Sequence, residues 1–260
     1  MIEMINDKDA KGRSIGIESI KEAESIHIKS NIGKTELKHF SARNVSLKNK
    51  RYVEDNGRIP WKALFLGFQL PFMQQLSGVN MIVTEIGAIT ATYDPSVAVY
   101  TPLIANIIQL IATLFSIPAL TRVGRKPLIL IGNLTLGLFD LVMGIMFLLN
   151  FLTSQITYIY VSLAFILLFM ISYGVTIGPI IWLYVPEVIP AKYVPVATSM
   201  NWLGCAICII ASPYIINAVG SPYPVFFGFA GITLFLFMFN ASILVESKGK
   251  TRKQILEKLS

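Results

Sequence analysis

Six long apolar stretches constrain this chain more than any other feature. They lie near residues 61–90, 97–120, 127–150, 156–185, 195–219 and 223–245. About 20 apolar residues in helical form cross a hydrocarbon core of about 30 Å, and each stretch reaches that length. Lipid offers no partners to backbone N–H and C=O groups, so only helices and closed barrels cross it. None of the six stretches shows the strict apolar–polar alternation of a barrel strand. Turn or charge signals bound most of them: Tyr93-Asp94-Pro95, Gly124-Arg125-Lys126-Pro127, Pro190-Ala191-Lys192 and Gly220-Ser221-Pro222. The expected fold is an all-α membrane protein of six transmembrane helices, whose short loops make chain neighbours antiparallel. Composition agrees. The chain is 54% hydrophobic and only 14% charged, whereas soluble domains carry about 25% charged residues.

The placement of charge predicts an orientation. Of 22 Lys and Arg residues, 13 fall within residues 1–62, and three are Arg122, Arg125 and Lys126; one is Lys192 and five lie in 247–260. The alternate loops, near 91–96, 151–155 and 220–222, hold none. Basic residues are retained on the cytoplasmic side, so both termini are expected there. The formal net charge of +7 then reflects topology and contact with anionic lipid heads. No nucleic-acid-binding module is recognisable, and no nucleic-acid partner is expected. Residues 1–58 read as a polar cytoplasmic segment, 59–246 as the six-helix transmembrane domain, and 247–260 as a cytoplasmic C-terminal tail. The first 58 residues contain no apolar core of the kind a cleaved leader needs, so the first span is expected to serve as its own insertion signal. His27 and His39 in that segment read as solvated side chains. Cys205 and Cys208 form a C-x-x-C inside the fifth span, and without polar partners they read as membrane-buried thiols rather than a redox or zinc site.

Polar side chains inside lipid face protein or water, and ionisable ones point to function. In the first span Gln74, Gly78, Met81 and Glu85 fall at i, i+4, i+7 and i+11, one stripe on a straight helix. Pro71 and Gly78 favour a bend or break there. In the second span Asn106, Gln109 and Thr113 share a face; in the fifth, Asn201, Cys205, Cys208 and Ser212 do. Amides offer donors and acceptors without a charge to desolvate, which suits a neutral ligand rich in hydroxyls, such as a sugar. They also hold helices together. The spacing alone leaves both readings open. The fourth span, "GVTIGPIIWLYVPE", predicts a helix break near Gly174, Gly178 and Pro179, a mark of transporters. Trp182, just after it, offers a sugar an apolar face and one N–H donor, or sits in an interfacial aromatic belt. Glu187 is placed to pair with Arg125 or Lys126. Asp140, in the third span, has no evident partner.

These residues are similar to a known pattern. "QQLSGVN", "RVGRKP", "GPIIWLYVPEVIP", Asn201-Trp202 and "VESKGKT" occur in an order and spacing that resembles the C-terminal half of the sugar porter family of the major facilitator superfamily, over roughly residues 60–252. The resemblance implies alternating access around a hexose-like sugar held between two six-helix halves. It implies sugar contacts from Gln74, Gln75, Asn80, Gln109, Trp182 and Asn201, and a cytoplasmic gating charge network that includes Arg125, Lys126 and Glu187. Glu85 stands where a gate tyrosine is usual, and the family does not explain it. It makes residues 1–58 resemble the linker between the halves. No cofactor and no enzymatic chemistry are implied. The expected partners are a sugar, the lipid bilayer and a further N-terminal six-helix half, and the expected location is the plasma membrane rather than an internal membrane.

The chain departs from the family pattern in several places. Thr84 and Glu85 stand where gate tyrosines are usual, Thr121 where an acid precedes the basic turn, and Gly174 and Cys205 at two cavity positions. Lys192 is the sole basic residue where an arginine follows the "PE" motif, and Val245-Glu246 lacks the usual proline of the tail. The alternative expectation is a membrane protein that does not transport, either a sugar sensor or an inactive remnant.

Overall fold

A computed structural model describes residues 59–260. The expectations for residues 1–58, His27 and His39 among them, lie outside the described residues. The first apolar stretch forms two helices, α1 (Trp61–Leu76) and α2 (Val79–Tyr93). The chain stays helical through Pro71 and breaks at Ser77-Gly78. Gly78 adopts φ +84°, a region that only glycine enters at no cost. A Cβ at this position would also lie 2.5 Å from the Phe229 ring. The straight helix that would carry Gln74, Gly78, Met81 and Glu85 on one stripe is therefore not formed. The turn resets the register, and Glu85 no longer follows from Gln74 by helical spacing.

Among the described residues, five segments are long and apolar enough to cross a membrane: Pro95–Arg122, Arg125–Thr153, Thr157–Val188, Ala191–Val219 and Tyr223–Ile243. The sixth expected span is the α1–α2 pair. Its helices of 16 and 15 residues are about 24 and 22 Å long at 1.5 Å per residue. Each alone is shorter than the core, and in series they exceed it. The first of the five segments contains α3 (Pro95–Ala98) and α4 (Tyr100–Arg122). The next is α5 (Arg125–Thr153). The third divides into α6 (Thr157–Val175) and α7 (Ile177–Val188). Then come α8 (Val194–Val219), preceded by a 3-10 turn, and α9 (Tyr223–Ile243). No strand occurs among the described residues.

The expected break in the fourth span falls at Thr176, between the two glycines. Pro179 has no N–H to give the carbonyl four residues earlier, so Val175 loses a helical partner there. Thr176 turns its hydroxyl back to the Ser172 carbonyl at 2.6 Å. Gly174 lets α4 approach closely: a Cβ on it would lie 2.8 Å from Ala112 Cβ. Small residues at such crossings are how helices pack without a hydrophobic drive between them.

The bundle pairs α5 with α9, α1 with α8, and α6 with both α4 and α5. Phe147 and Phe226 stack at 5.3 Å across the α5–α9 seam. The outer faces of α4 and α8 carry large exposed side chains, among them Leu110, Leu114, Trp202 and Tyr214. After α9 the chain turns back and ends in α10 (Arg252–Leu259), started by a capping box between Thr251 and Gln254. Ile255 and Leu259 of α10 are buried, so much of the expected C-terminal tail is a docked helix.

Candidate functional site

The break at Gly78 brings the conspicuous amides of the first stretch against α8. Asn201, 4% exposed, is their hub. Its Nδ2 donates to Gln74 Oε1 at 3.0 Å and to the Pro71 carbonyl at 2.8 Å. Its Oδ1 accepts from Gln75 Nε2 at 3.0 Å. Gln75 Oε1 accepts in turn from Asn80 Nδ2, which also reaches Cys205 Sγ at 3.1 Å. At the far end Gln74 Nε2 donates to the Gly178 carbonyl at 2.9 Å and the Ile177 carbonyl at 3.3 Å. A continuous chain of amides thus runs from the α1–α2 break to the α6–α7 break. Burial of unpaired amides in a medium without water is costly, and here nearly every polar atom finds a partner.

The expected stripe on α8 forms as spaced, with Asn201, Cys205, Cys208 and Ser212 all buried. Both cysteines are free, and Cys208 donates to the Gln75 carbonyl at 3.2 Å. The α4 stripe behaves differently. Asn106 is exposed and returns its Nδ2 to the Pro102 carbonyl of its own helix. Gln109 is half-buried, and its carbonyl accepts from Thr113 Oγ1 at 2.9 Å. Trp182 is 39% exposed. Thus Gln74, Gln75, Asn80 and Asn201 come together as a unit, whereas Gln109 and Trp182 stand apart from it with open faces.

A second cluster gathers at the end of the bundle where α5 begins. Arg125 Nη2 and Glu187 Oε1 form an ion pair at 2.8 Å, which fulfils the expected pairing. Glu187 Oε2 accepts from Ser247 Oγ at 2.6 Å. Lys126 makes no contact with Glu187; its Nζ reaches the Ala241 carbonyl instead. The cluster also holds an acid that sequence reasoning missed. Glu246 accepts from the backbone N–H groups of Arg125 and Lys126, each at 3.0 Å, and from that of Lys248 at 2.8 Å. It caps the first turn of α5, where unpaired N–H groups and the helix dipole favour an anion. Partial burial acts to raise its pKa, yet the N–H groups of Lys248, Arg125 and Lys126 outweigh that and hold the carboxyl below its ordinary 4.5. Gly124, at φ +104°, keeps space for that carboxylate: a Cβ would sit 2.7 Å from its oxygen. The sequence signal for Glu246 was its place in the "VESKGKT" stretch after the last span, which says nothing of the helix start it caps.

The remaining acids stand elsewhere. Asp140 is fully buried on α5, and neither oxygen has a hydrogen-bond partner among the described residues. Glu85 is half-buried on α2, away from the amides, where it lines a cleft toward the end of the bundle opposite the Glu187 cluster.

Residues 10–259 match the family described as "Sugar (and other) transporter". The arabinose-proton symporter of Bacillus subtilis (strain 168) is 30% identical over 205 residues, covering 76% of this chain and 42% of that protein. Hexose transporter 1 of Plasmodium knowlesi is 27% identical over 191 residues, covering 72% of this chain and 37% of that protein. Among solved structures, the proton:xylose symporter XylE bound to 6-bromo-6-deoxy-D-glucose superposes with a TM-score of 0.65 at 22% identity. That superposition covers 75% of this chain and 42% of XylE, and fixes the fold as that of the major facilitator superfamily. The chain spans less than half the length of these relatives. A match over nearly its whole length, on an integral-membrane bundle of this fold, makes the chain a member of the sugar (and other) transporter family.

Proposed function

We propose that this chain supplies one six-helix half of a transporter that moves a hexose-like sugar by alternating access. The amide chain from Asn80 to Gln74 is the observation that carries the reading. It links two helix breaks, it is uncharged, and its Asn80 end is only half-buried. An alternating set of amide donors and acceptors matches vicinal hydroxyls, and discontinuous helices at mid-membrane are where such transporters bind substrate. Trp182 and Gln109, whose faces are open, complete the sugar site in this reading. Relatives named for hexose and arabinose transport support the substrate class. In this reading Arg125, Glu187 and Glu246 hold the cytoplasmic gate, both termini face the cytoplasm, the membrane is the plasma membrane, and the other six helices come from a partner half.

A second reading is a membrane protein that does not transport, and one observation favours it: Gln74, Gln75 and Asn201 already satisfy one another. Counterflow of labelled glucose, xylose and arabinose into proteoliposomes separates the two. Saturable uptake by the chain, alone or co-reconstituted with an N-terminal half of a relative, is the expected result. Asn80→Ala should then weaken half-saturation about two- to tenfold, the worth of one hydrogen bond. No uptake in either arrangement refutes the transport reading.

A further inference from the structure

Beyond the break at Gly78, α8 leaves α2. It packs closely along α1 but only loosely along α2, and the gap is a cleft of about 180 Å³. Glu85, Ala88, Ile89 and Thr92 line one side, at i, i+3, i+4 and i+7 of α2; Pro213, Ile216 and Asn217 of α8 line the other. The chemistry of this cleft is one-sided. Glu85 is its single charge, and among the described residues no cation pairs with it. Asn217 adds an amide, and Tyr93 and Ser221 add hydroxyls. Ser221 is 1% exposed; its Oγ lies beside the Tyr93 hydroxyl, yet no hydrogen bond of full geometry satisfies it.

The backbone reinforces the same sign. Both α2 and α8 run toward this end and finish there, at Tyr93 and Val219. Helix C-termini carry unpaired carbonyls and a partial negative charge. The facing start of α9 would normally offset this with free N–H groups. It reads Pro222-Tyr223-Pro224, and its two prolines have no N–H to offer. A carboxylate, neutral oxygens and two helix C-termini in one cleft form a hard-cation environment. With one carboxylate rather than several, the charge balances a monovalent ion. The cleft has room for about six waters at about 30 Å³ each, enough for a small hydrated ion. A wider cleft lined by Thr92, Tyr93, Asn150 and Ser154 adjoins it and offers an entry path.

We propose that the Glu85 cleft is a binding site for a sodium-sized monovalent cation, held by the Glu85 carboxylate and the Asn217 amide oxygen across the cleft, with the Ser221 and Tyr93 hydroxyls nearer its end. The site lies apart from the amides and does not rest on sugar transport, so its test needs no sugar. The purified full chain in detergent is melted at fixed pH and ionic strength in sodium, potassium or choline chloride. Sodium should raise the midpoint saturably, potassium less and choline not at all. Glu85→Gln should abolish the rise while keeping the choline midpoint, and Asn217→Ala, an exposed position, should raise the half-saturating sodium concentration about two- to tenfold. Should Glu85→Gln fail to fold, Asn217→Ala and direct binding of radioactive sodium to the wild type decide the matter. Equal midpoints in the three salts, or a sodium response kept by Glu85→Gln, overturn the proposal. A wild type that responds to pH but not to sodium, with that response lost in Glu85→Gln, overturns it in favour of a proton.

Discussion

Asn201 of α8 donates to Gln74 of α1 at 3.0 Å across two helices that are separated by more than a hundred residues of chain. The same side chain accepts from Gln75. One residue thereby fixes the orientation of both glutamines.

Asn201→Ala strands the buried polar atoms of Gln74 and Gln75. An unsatisfied buried group costs about 1–3 kcal/mol, so the variant should melt several degrees below the wild type. Unfolding can be followed by the reaction of Cys205 and Cys208, both buried in the native fold, with a maleimide dye. A double-mutant cycle with Gln75→Ala should return a coupling of about 0.5–3 kcal/mol, and a coupling near zero would show that the amides act separately.

Glu246 sets a pH dependence of known sign. Its carboxyl is held below 4.5 in the fold. Its contribution to stability is therefore complete above the unfolded value and disappears as pH falls through the lower folded value. Melting between pH 7 and pH 3 should show this loss, and Glu246→Gln should flatten that part of the curve. The variant should also lose about 0.5–2 kcal/mol at neutral pH, the usual worth of an N-terminal cap. A curve identical to wild type would place the acid-sensitive group elsewhere.

Gly78→Ala faces two obstacles, a backbone at φ +84° and the Phe229 ring. Strain of this kind costs about 1–3 kcal/mol. Measured in a Phe229→Ala background, the cost of Gly78→Ala should fall by the steric part and keep the backbone part. A cost of zero in that background would mean that the left-handed turn itself costs nothing.

Asp140→Leu should raise the melting temperature. The carboxyl is 0% exposed, with both oxygens unpaired among the described residues, and an apolar side chain of similar shape removes that penalty of about 1–3 kcal/mol. Destabilisation by Asp140→Leu but not by Asp140→Asn would instead point to an unseen polar partner on the seam with α9.

The spans and the charged pair were legible because their signals are local or few. Apolar runs of about 20 residues mark spans by themselves, and Glu187 had only two nearby basic candidates, of which Arg125 proved the partner. The break in the first stretch was narrowed to Pro71 or Gly78, but periodicity could not choose between them. Packing against Phe229 singles out Gly78, and only a three-dimensional neighbour could reveal that. The amides were visible as residues, and their joining into one chain was not, because it depends on how α1 meets α8. Glu246 was hidden for the same reason: the helix start it caps lies 121 residues earlier in sequence.

The amide chain also dictates an order of assembly. The α1 segment enters the membrane carrying glutamines whose hydrogen-bond partners, at Ile177, Gly178 and Asn201, are synthesised 103 to 127 residues later. Until α7 and α8 arrive, those polar groups have only one another, water at the interface, or the translocation machinery. The α1 segment is the first of the described helices to be made, and its buried glutamines find their partners only once α7 and α8 exist. The amide layer can therefore close only after the later helices stand in the register that places Asn201 beside Gln74 and Gln75.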